Sequence, residues 1–360
     1  MSLTDALAIR DLTDPAQGPH AIQQMVAAIL AATHRPPGHL LLHRGERIVD
    51  VADNYDRLGY SPSAAARDAR YTRYVSAERM LRSQTSALIP GALRVLRAPG
   101  ALIACPGIVY RRDCIDRLHT GTPHQLDLWR ITPAAPEPGD LLALVETAVA
   151  AALPGIPWRT NPAKHPYTTG GWEIEAWSSD QGGSWVEIGE CGVAAPHVVG
   201  PGRAGLALGL GLDRLLMLRK GIDDIRLLRS ADPRVAAQML DLSPYRPVSA
   251  QPAAHRDVSV ALPEDVTAEE IGDRVRDLLG PDAALVEEVS ILSATPPEAL
   301  PAASRDRLAL RPGEVNVLVR VILRDLDAAL PRRRANALRD RVYDGLHDPA
   351  GRVRRAACRR

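Results

Sequence analysis

At 360 residues, with 46% hydrophobic and 24% charged residues, the chain has the composition of an ordinary folded protein and is long enough for two domains. A net charge of +1 excludes a global basic field, and no apolar run approaches the ~18 residues of a membrane span. The four cysteines, Cys105, Cys114, Cys191 and Cys358, form no CxxC pair, so neither a zinc ribbon nor a disulfide framework is indicated.

In chain order, the opening MSLTDALAIRDLTDP carries neither a signal-peptide core nor an Arg-rich presequence, so a cytoplasmic location is expected. Residues 105–130 predict a hairpin, with Arg111 on the outgoing strand and Gln125 and Asp127 on the return strand, sharing one face. TPAAPEPGD at 132–140 reads as an exposed loop ahead of an amphipathic helix over 141–153. GLALGLGLDRLLML at 205–218 predicts a glycine-rich strand running directly into a helix. Gly209 and Gly211 then share a bare strand face. It can receive a flat ring, or it can reflect close backbone packing. Arg214 falls in the first helical turn, where its guanidinium fork suits phosphate oxygens. The proline-rich SPYRPVSAQPAAH at 243–255 is a linker, which sets domains at 1–246 and 247–360. Beyond it, RDVSVAL and NVLVRVIL alternate as strands, and the segments near 267–279 and 333–346 have helical spacing. Residues 331–360 hold ten Arg against three Asp, a local patch suited equally to a solvated helix face and to an RNA backbone.

The segments VYRRDCIDRLH and HQLD, then WVEIGECG at 185–192, LGLGLDRLLML and IDDIRLLRSADPR at 222–234 together resemble the class II aminoacyl-tRNA synthetases. More narrowly, they are similar to phenylalanyl-tRNA synthetases of the single-chain, mitochondrial type. GPHAIQQMV at 18–26 resembles motif 1, and MLRSQTSAL at 80–88 resembles the amino-acid-binding segment. NYDRLGYSPSAAARDARYTRY at 54–74 resembles the loop before that segment, and HRDVSVALPEDV with LVEEVSIL resembles the C-terminal anticodon-binding domain. The implied fold is α+β: an antiparallel sheet flanked by helices, followed by a ferredoxin-like sandwich.

The resemblance implies ATP-dependent formation of an aminoacyl adenylate and transfer to tRNA through the C-terminal domain, by a monomer or homodimer. Arg111 matches an arginine that bridges the amino-acid carboxylate and the α-phosphate, and Arg214 one that holds the γ-phosphate and covers adenine. Each arginine has a structural alternative as an ion-pair partner of Asp113 or Asp213. His119 matches a histidine that meets the outer phosphates, and Glu187 a magnesium position. Ser86, Gln125 and Asp127 match positions for the substrate amino group, with Gln84 in the same shell where the family has histidine. Asp127 stands where the family usually has Glu.

The pocket departs further. His165 and Tyr167 occupy the ends of a Phe-Pro-Phe segment, Pro123 stands where a Phe stacks on adenine, and Ala207 matches the small residue at the pocket's far end. The chain has no phenylalanine at all. Avoidance of the cognate residue accounts for Leu206 and Leu208 but poorly for His165 and Pro123, since leucine or tyrosine preserves more apolar area. An altered substrate or role is therefore expected. DAAL at 327–330, where an Arg-Thr-Leu element is usual, bears on anticodon contacts in the same way. Three readings remain: a tRNA ligase for phenylalanine or a related aromatic amino acid, an adenylate-forming paralogue with another acceptor, and a non-catalytic homologue.

Overall fold

Period-two alternation of large apolar residues with polar or small ones builds the largest feature, a seven-stranded sheet. The computed structural model describes residues 2–35, 38–111, 116–179, 183–247 and 252–347. Two compact units emerge: Met1–Arg111 with Thr122–Arg246, and Arg112–Gly121 with Pro247–Arg360.

In chain order the first unit comprises α1 Leu3–Ala8, α2 Ala21–Thr33, β1 Leu40–Leu42, β2 Ile48–Asp50, α3 Val51–Asn54, β3 Arg79–Leu81, α4 Ile89–Val95 and β4 Ala101–Ile108. It continues with β5 His124–Thr132, α5 Asp140–Ala152, β6 Trp158–Pro162, β7 Thr168–Ser178, β8 Ser184–Ala194, α6 Pro196–Val199, β9 Ala204–Gly211, α7 Leu212–Lys220 and α8 Pro233–Gln238. The sheet order is β1-β4-β5-β9-β8-β7-β6, antiparallel except for the β1–β4 pair.

Leu126, Leu128, Leu206, Leu208 and Leu210 point to one face and are almost fully buried, each contributing about 1.5–3 kcal/mol of apolar burial. On that side α2 packs against α5 and α7, presenting Ile22, Met25, Val26 and Ile29. The opposite face is apolar at one end, where Ile103, Cys105, Trp129, Ile131 and Ala207 pack with Ile89, Ala92 and Leu93 of α4. Its other end is polar and is described below. The expected strand–helix at 205–218 appears as β9 and α7, and the expected hairpin as β4 and β5. β4 stops at Ile108, so Arg111, expected on the outgoing strand, lies beyond it.

The second unit contains β10 Ala254–Pro263, α9 Ala268–Leu279, β11 Val286–Thr295, α10 Ala302–Leu308, β12 Glu314–Leu323 and α11 Arg332–His347. Its antiparallel sheet has the order β10-β12-β11. Every second residue of β12, from Val315 to Leu323, is buried, together with Ile271, Val275 and Leu279 of α9 and Leu338, Val342 and Leu346 of α11. A capping box between Thr267 and Glu270 starts α9. The residues beyond 347 lie outside the described residues. The segment around His119 clusters with this unit, whereas a boundary at 246/247 alone assigns it to the first.

Candidate active site

On the polar half of the sheet face, strand register sets the geometry. Gln125 lies opposite Gly211, Asp127 opposite Gly209 and Trp129 opposite Ala207. One strand further, Gly209 pairs with Glu190, and Glu190 with Glu173 on β7. Paired residues share a face, so a row of Asp127, Gly209, Glu190 and Glu173 crosses four strands. Close packing does not require glycine at 209 or 211: an added Cβ meets its nearest neighbour only at 3.6 Å and 3.7 Å. At Gly189, by contrast, a Cβ meets the Gly209 carbonyl oxygen at 2.2 Å. Gly209 and Gly211 therefore put no side chain of their own on this face, and the side chain of Glu190 lies over Gly209.

Asp127 is buried, and its Oδ1 accepts from Ser86 Oγ at 2.9 Å and Trp129 Nε1 at 3.0 Å. Oδ2 accepts from Thr85 Oγ1 at 2.7 Å and keeps a lone pair to spare. Burial outweighs these donors and pushes the carboxyl up to about 6. Gln125 Oε1 accepts the Thr85 N–H at 3.1 Å. Gln84 stands apart from Asp127, donating to the Asn54 carbonyl at 2.9 Å and accepting from Tyr60 Oη at 3.2 Å.

His165 and Tyr167, which stand at the ends of the Phe-Pro-Phe segment, both have a partner within the protein. His165 Nε2 lies 3.0 Å from Glu190 Oε2, and the Tyr167 hydroxyl donates to Glu190 Oε1. Burial works to raise the Glu190 pKa; the hydrogen bond and charge of His165, the Tyr167 hydroxyl and Arg111 outweigh it and keep the group ionised. That same hydrogen bond raises His165 above its usual range. Glu190 was missed in the sequence because β8 is irregular. Ile174 pairs with Gly189 but Glu175 pairs with Glu187, so Ile188 is an extra residue. A bulge there puts Glu187 and Glu190, three apart, on one face, where strict alternation separates them.

Arg214 Nη1 donates to the Glu187 carbonyl at 3.0 Å and to its Oε2 at 3.3 Å. The alternative partner, Asp213, is instead taken by His124, whose Nδ1 lies 3.0 Å from Asp213 Oδ1. The Leu12 N–H donates to His124 Nε2 at 3.1 Å, which assigns the Nδ1–H tautomer and a structural role for the histidine of HQLD. Arg111 Nε donates to the Ser83 carbonyl at 2.9 Å, and its charge is felt by Tyr60 and Glu190. Its other proposed partner, Asp113, lies outside the described residues. The Pro123 carbonyl accepts the Val109 N–H at 2.8 Å, one residue before β5. His119 belongs to the second unit, where its Nδ1 lies 2.6 Å from Asp116 Oδ2, and so is not gathered with the residues of the first.

Among the described residues no three His, Cys, Asp or Glu side chains form a metal cage. Glu187 nevertheless suits magnesium, which keeps waters and takes one or two carboxylates plus substrate phosphates. Burial first, and then the like charge of Glu187, raise the Glu173 pKa, a repulsion that a divalent cation relieves.

The chain belongs to the family described as tRNA synthetases class II core domain (F), whose pattern matches residues 15–239. Among curated relatives, the phenylalanine–tRNA ligase alpha subunit of Prochlorococcus marinus (strain NATL2A) is 33% identical over 203 residues, covering 54% of this chain and 58% of that one. The corresponding subunit of strain MIT 9313 is 31% identical over 245 residues, covering 60% and 71%. The match thus spans less than two thirds of the first relative. Among solved structures, a pyrrolysyl-tRNA synthetase from Desulfitobacterium hafniense aligns with a TM-score of 0.44 at 15% identity, covering 58% of this chain and 73% of that one.

Proposed function

We propose that the protein activates an aromatic α-amino acid with ATP and transfers it to tRNA. One observation carries this reading: a pinned carboxylate, Asp127, stands beside a glycine strip that ends at Arg214 in the first turn of α7. Asp127 Oδ2 and Gln125 take the substrate ammonium, with Ser86 holding Asp127 in place. Arg111 neutralises charge between the substrate carboxylate and the α-phosphate as a carboxylate oxygen attacks phosphorus and pyrophosphate leaves. Arg214 grips the outer phosphates. Pro123, Gly209 and Gly211 border the nucleotide, and Ala207 closes the far end of the amino-acid pocket. Glu187, with Glu173 beside it, would hold magnesium, which supplies charge neutralisation at the phosphates. No protein nucleophile is needed, since positioning and electrostatics carry such a transfer.

The second unit is proposed as an anticodon-type module acting from a cytoplasmic monomer or homodimer. One observation favours an acceptor other than tRNA: Arg334 and Arg341 both bind Asp282, at 2.5 Å and 2.6 Å, and Arg339 binds Asp340, which removes charge from the expected basic patch. The arginines beyond 347 lie outside the described residues. Exchange of labelled pyrophosphate into ATP, screened across amino acids, tests activation, and acylation of added tRNA tests the acceptor. Exchange without tRNA acylation favours the paralogue; ATP binding without any exchange sinks the catalytic reading.

A pH dependence follows from Asp127. As pH falls through about 6 the carboxylate takes a proton and loses its attraction for an ammonium, so KM for the amino acid rises while ATP affinity holds. The stability sign is opposite to that of a paired carboxylate. With its folded pKa raised, Asp127 binds more protons in the native state between pH ~4 and ~6, so its contribution to stability falls as pH rises through that window. Comparing wild type with Asp127→Asn across that range checks both; an acid limb that survives the substitution assigns it elsewhere.

A further inference from the structure

The geometry points to Glu190 as the residue that selects the amino-acid side chain, and to an aromatic α-amino acid bearing a hydrogen-bond donor on its ring, such as a phenol or an imidazole, as the substrate class. This rests on the activation reading above.

Three observations converge. First, Glu190 and Asp127 flank Gly209 in one row, so their backbones stand two strand spacings apart, about 9.5–10 Å. With Asp127 at the ammonium, a ring directed along this row brings its far substituent towards Glu190, which leans over Gly209. Second, the Glu190 side chain is 35% accessible and lies over Gly209, with Cγ 3.6 Å and Oε1 3.9 Å from the position of an added Cβ. His165 and Tyr167 occupy part of a carboxylate that has about four lone-pair sites, so acceptor capacity remains for a ligand. Third, the surroundings are flat. Tyr167 lies with its ring centroid 6.0 Å from Trp129, 6.4 Å from Tyr60 and 5.9 Å from His165.

These features separate substrates by what they return to Glu190. A ring hydroxyl or ring N–H replaces the water it displaces from the carboxylate. The phenyl ring of phenylalanine strips that water and offers nothing. A site that hydrogen-bonds a substrate donor rejects the analogue lacking it far more strongly than an apolar pocket rejects one methylene. His165 Nε2, 3.0 Å from Glu190 Oε2, already takes the position beside that oxygen that a cationic side chain would seek, which suits a neutral donor.

The test uses the full chain and two readouts. Equilibrium binding of L-tyrosine, L-3-hydroxyphenylalanine, L-histidine and L-phenylalanine is measured by calorimetry without ATP, and pyrophosphate exchange is measured with the same set. At least one ring-donor amino acid is expected to bind ~100-fold more tightly than phenylalanine. In Glu190→Ala that preference should collapse to within about threefold, while Glu190→Gln, which keeps shape and one acceptor, should retain part of it. Thermal melting confirms that both variants fold. Equal binding of phenylalanine and the ring-donor set by wild type, binding of none of that set, or an unchanged preference in a folded Glu190→Ala each overturn the assignment. Selective binding without exchange leaves Glu190 standing and removes the activation reading. Exchange driven best by phenylalanine in wild type and Glu190→Ala alike does the reverse.

Discussion

Replacing Arg111 with alanine should lower amino-acid-dependent pyrophosphate exchange by ~100-fold or more, equivalent to about 3 kcal/mol of transition-state stabilisation. The expectation comes from where charge develops. When a carboxylate attacks the α-phosphate, negative charge accumulates at the two groups that Arg111 is proposed to bridge, and a fixed guanidinium meets it without reorganisation. Among the described residues Arg111 is held through Nε by the Ser83 carbonyl, an arrangement in which both terminal nitrogens can serve the substrate. A lysine has one charge and no fork, so Arg111→Lys should recover only part of the rate. Arg214→Ala should act through a different step, raising KM for ATP as well, because Arg214 is proposed to grip the outer phosphates. The two losses should not add if both residues act on one bound nucleotide. An Arg111→Ala variant that melts like wild type and keeps more than a third of its exchange rate would assign this arginine to the loop alone.

Legibility in the sequence divides along physical lines. The strand β9 and helix α7 were readable because glycine spacing, alternation and an abrupt change of period occur within fifteen residues. The Gln125 and Asp127 face was readable for the same reason, and parity alone puts both on the site side of β5. Glu190 was not, since a single bulge at Ile188 reverses the parity of every residue beyond it. His124 illustrates a second limit. Beside Gln125 it looks like part of the reacting set, yet it is buried between Asp213 and the Leu12 N–H, a contact that joins residues 112 apart. Arg111 shows a third, because backbone pairing ends where the next strand stops offering partners, which local propensity does not encode.

Arg82 was unmarked in the sequence, and its loss should give the largest change in stability. It is 1% exposed, donating from Nε to the Ile108 carbonyl at 2.7 Å and from Nη1 to the carbonyls of Arg44 at 2.8 Å and Glu46 at 3.3 Å. Burial lowers its pKa while Asp11, 3.8 Å away, holds the charge in place. Arg82→Ala leaves three carbonyl bonds unmade and removes one cation from beside the buried Asp11 carboxylate, which together cost about 3–5 kcal/mol. For a unit of this size that is a fall of roughly 10 °C in melting temperature. Asp11 keeps the Thr13 hydroxyl at 2.7 Å and the Ile108 N–H at 3.1 Å, so the N-terminal segment loosens without losing every anchor. Gly107 provides an independent check. A Cβ there would stand 2.1 Å from Arg82 Nη2, so Gly107→Ala should displace the guanidinium and destabilise in the same direction by less. Because Arg82 immediately precedes Ser83 and Gln84, activity should fall with stability in both variants. If Arg82→Ala unfolds within about 1 kcal/mol of wild type, the fork is dispensable and the carbonyls find water instead.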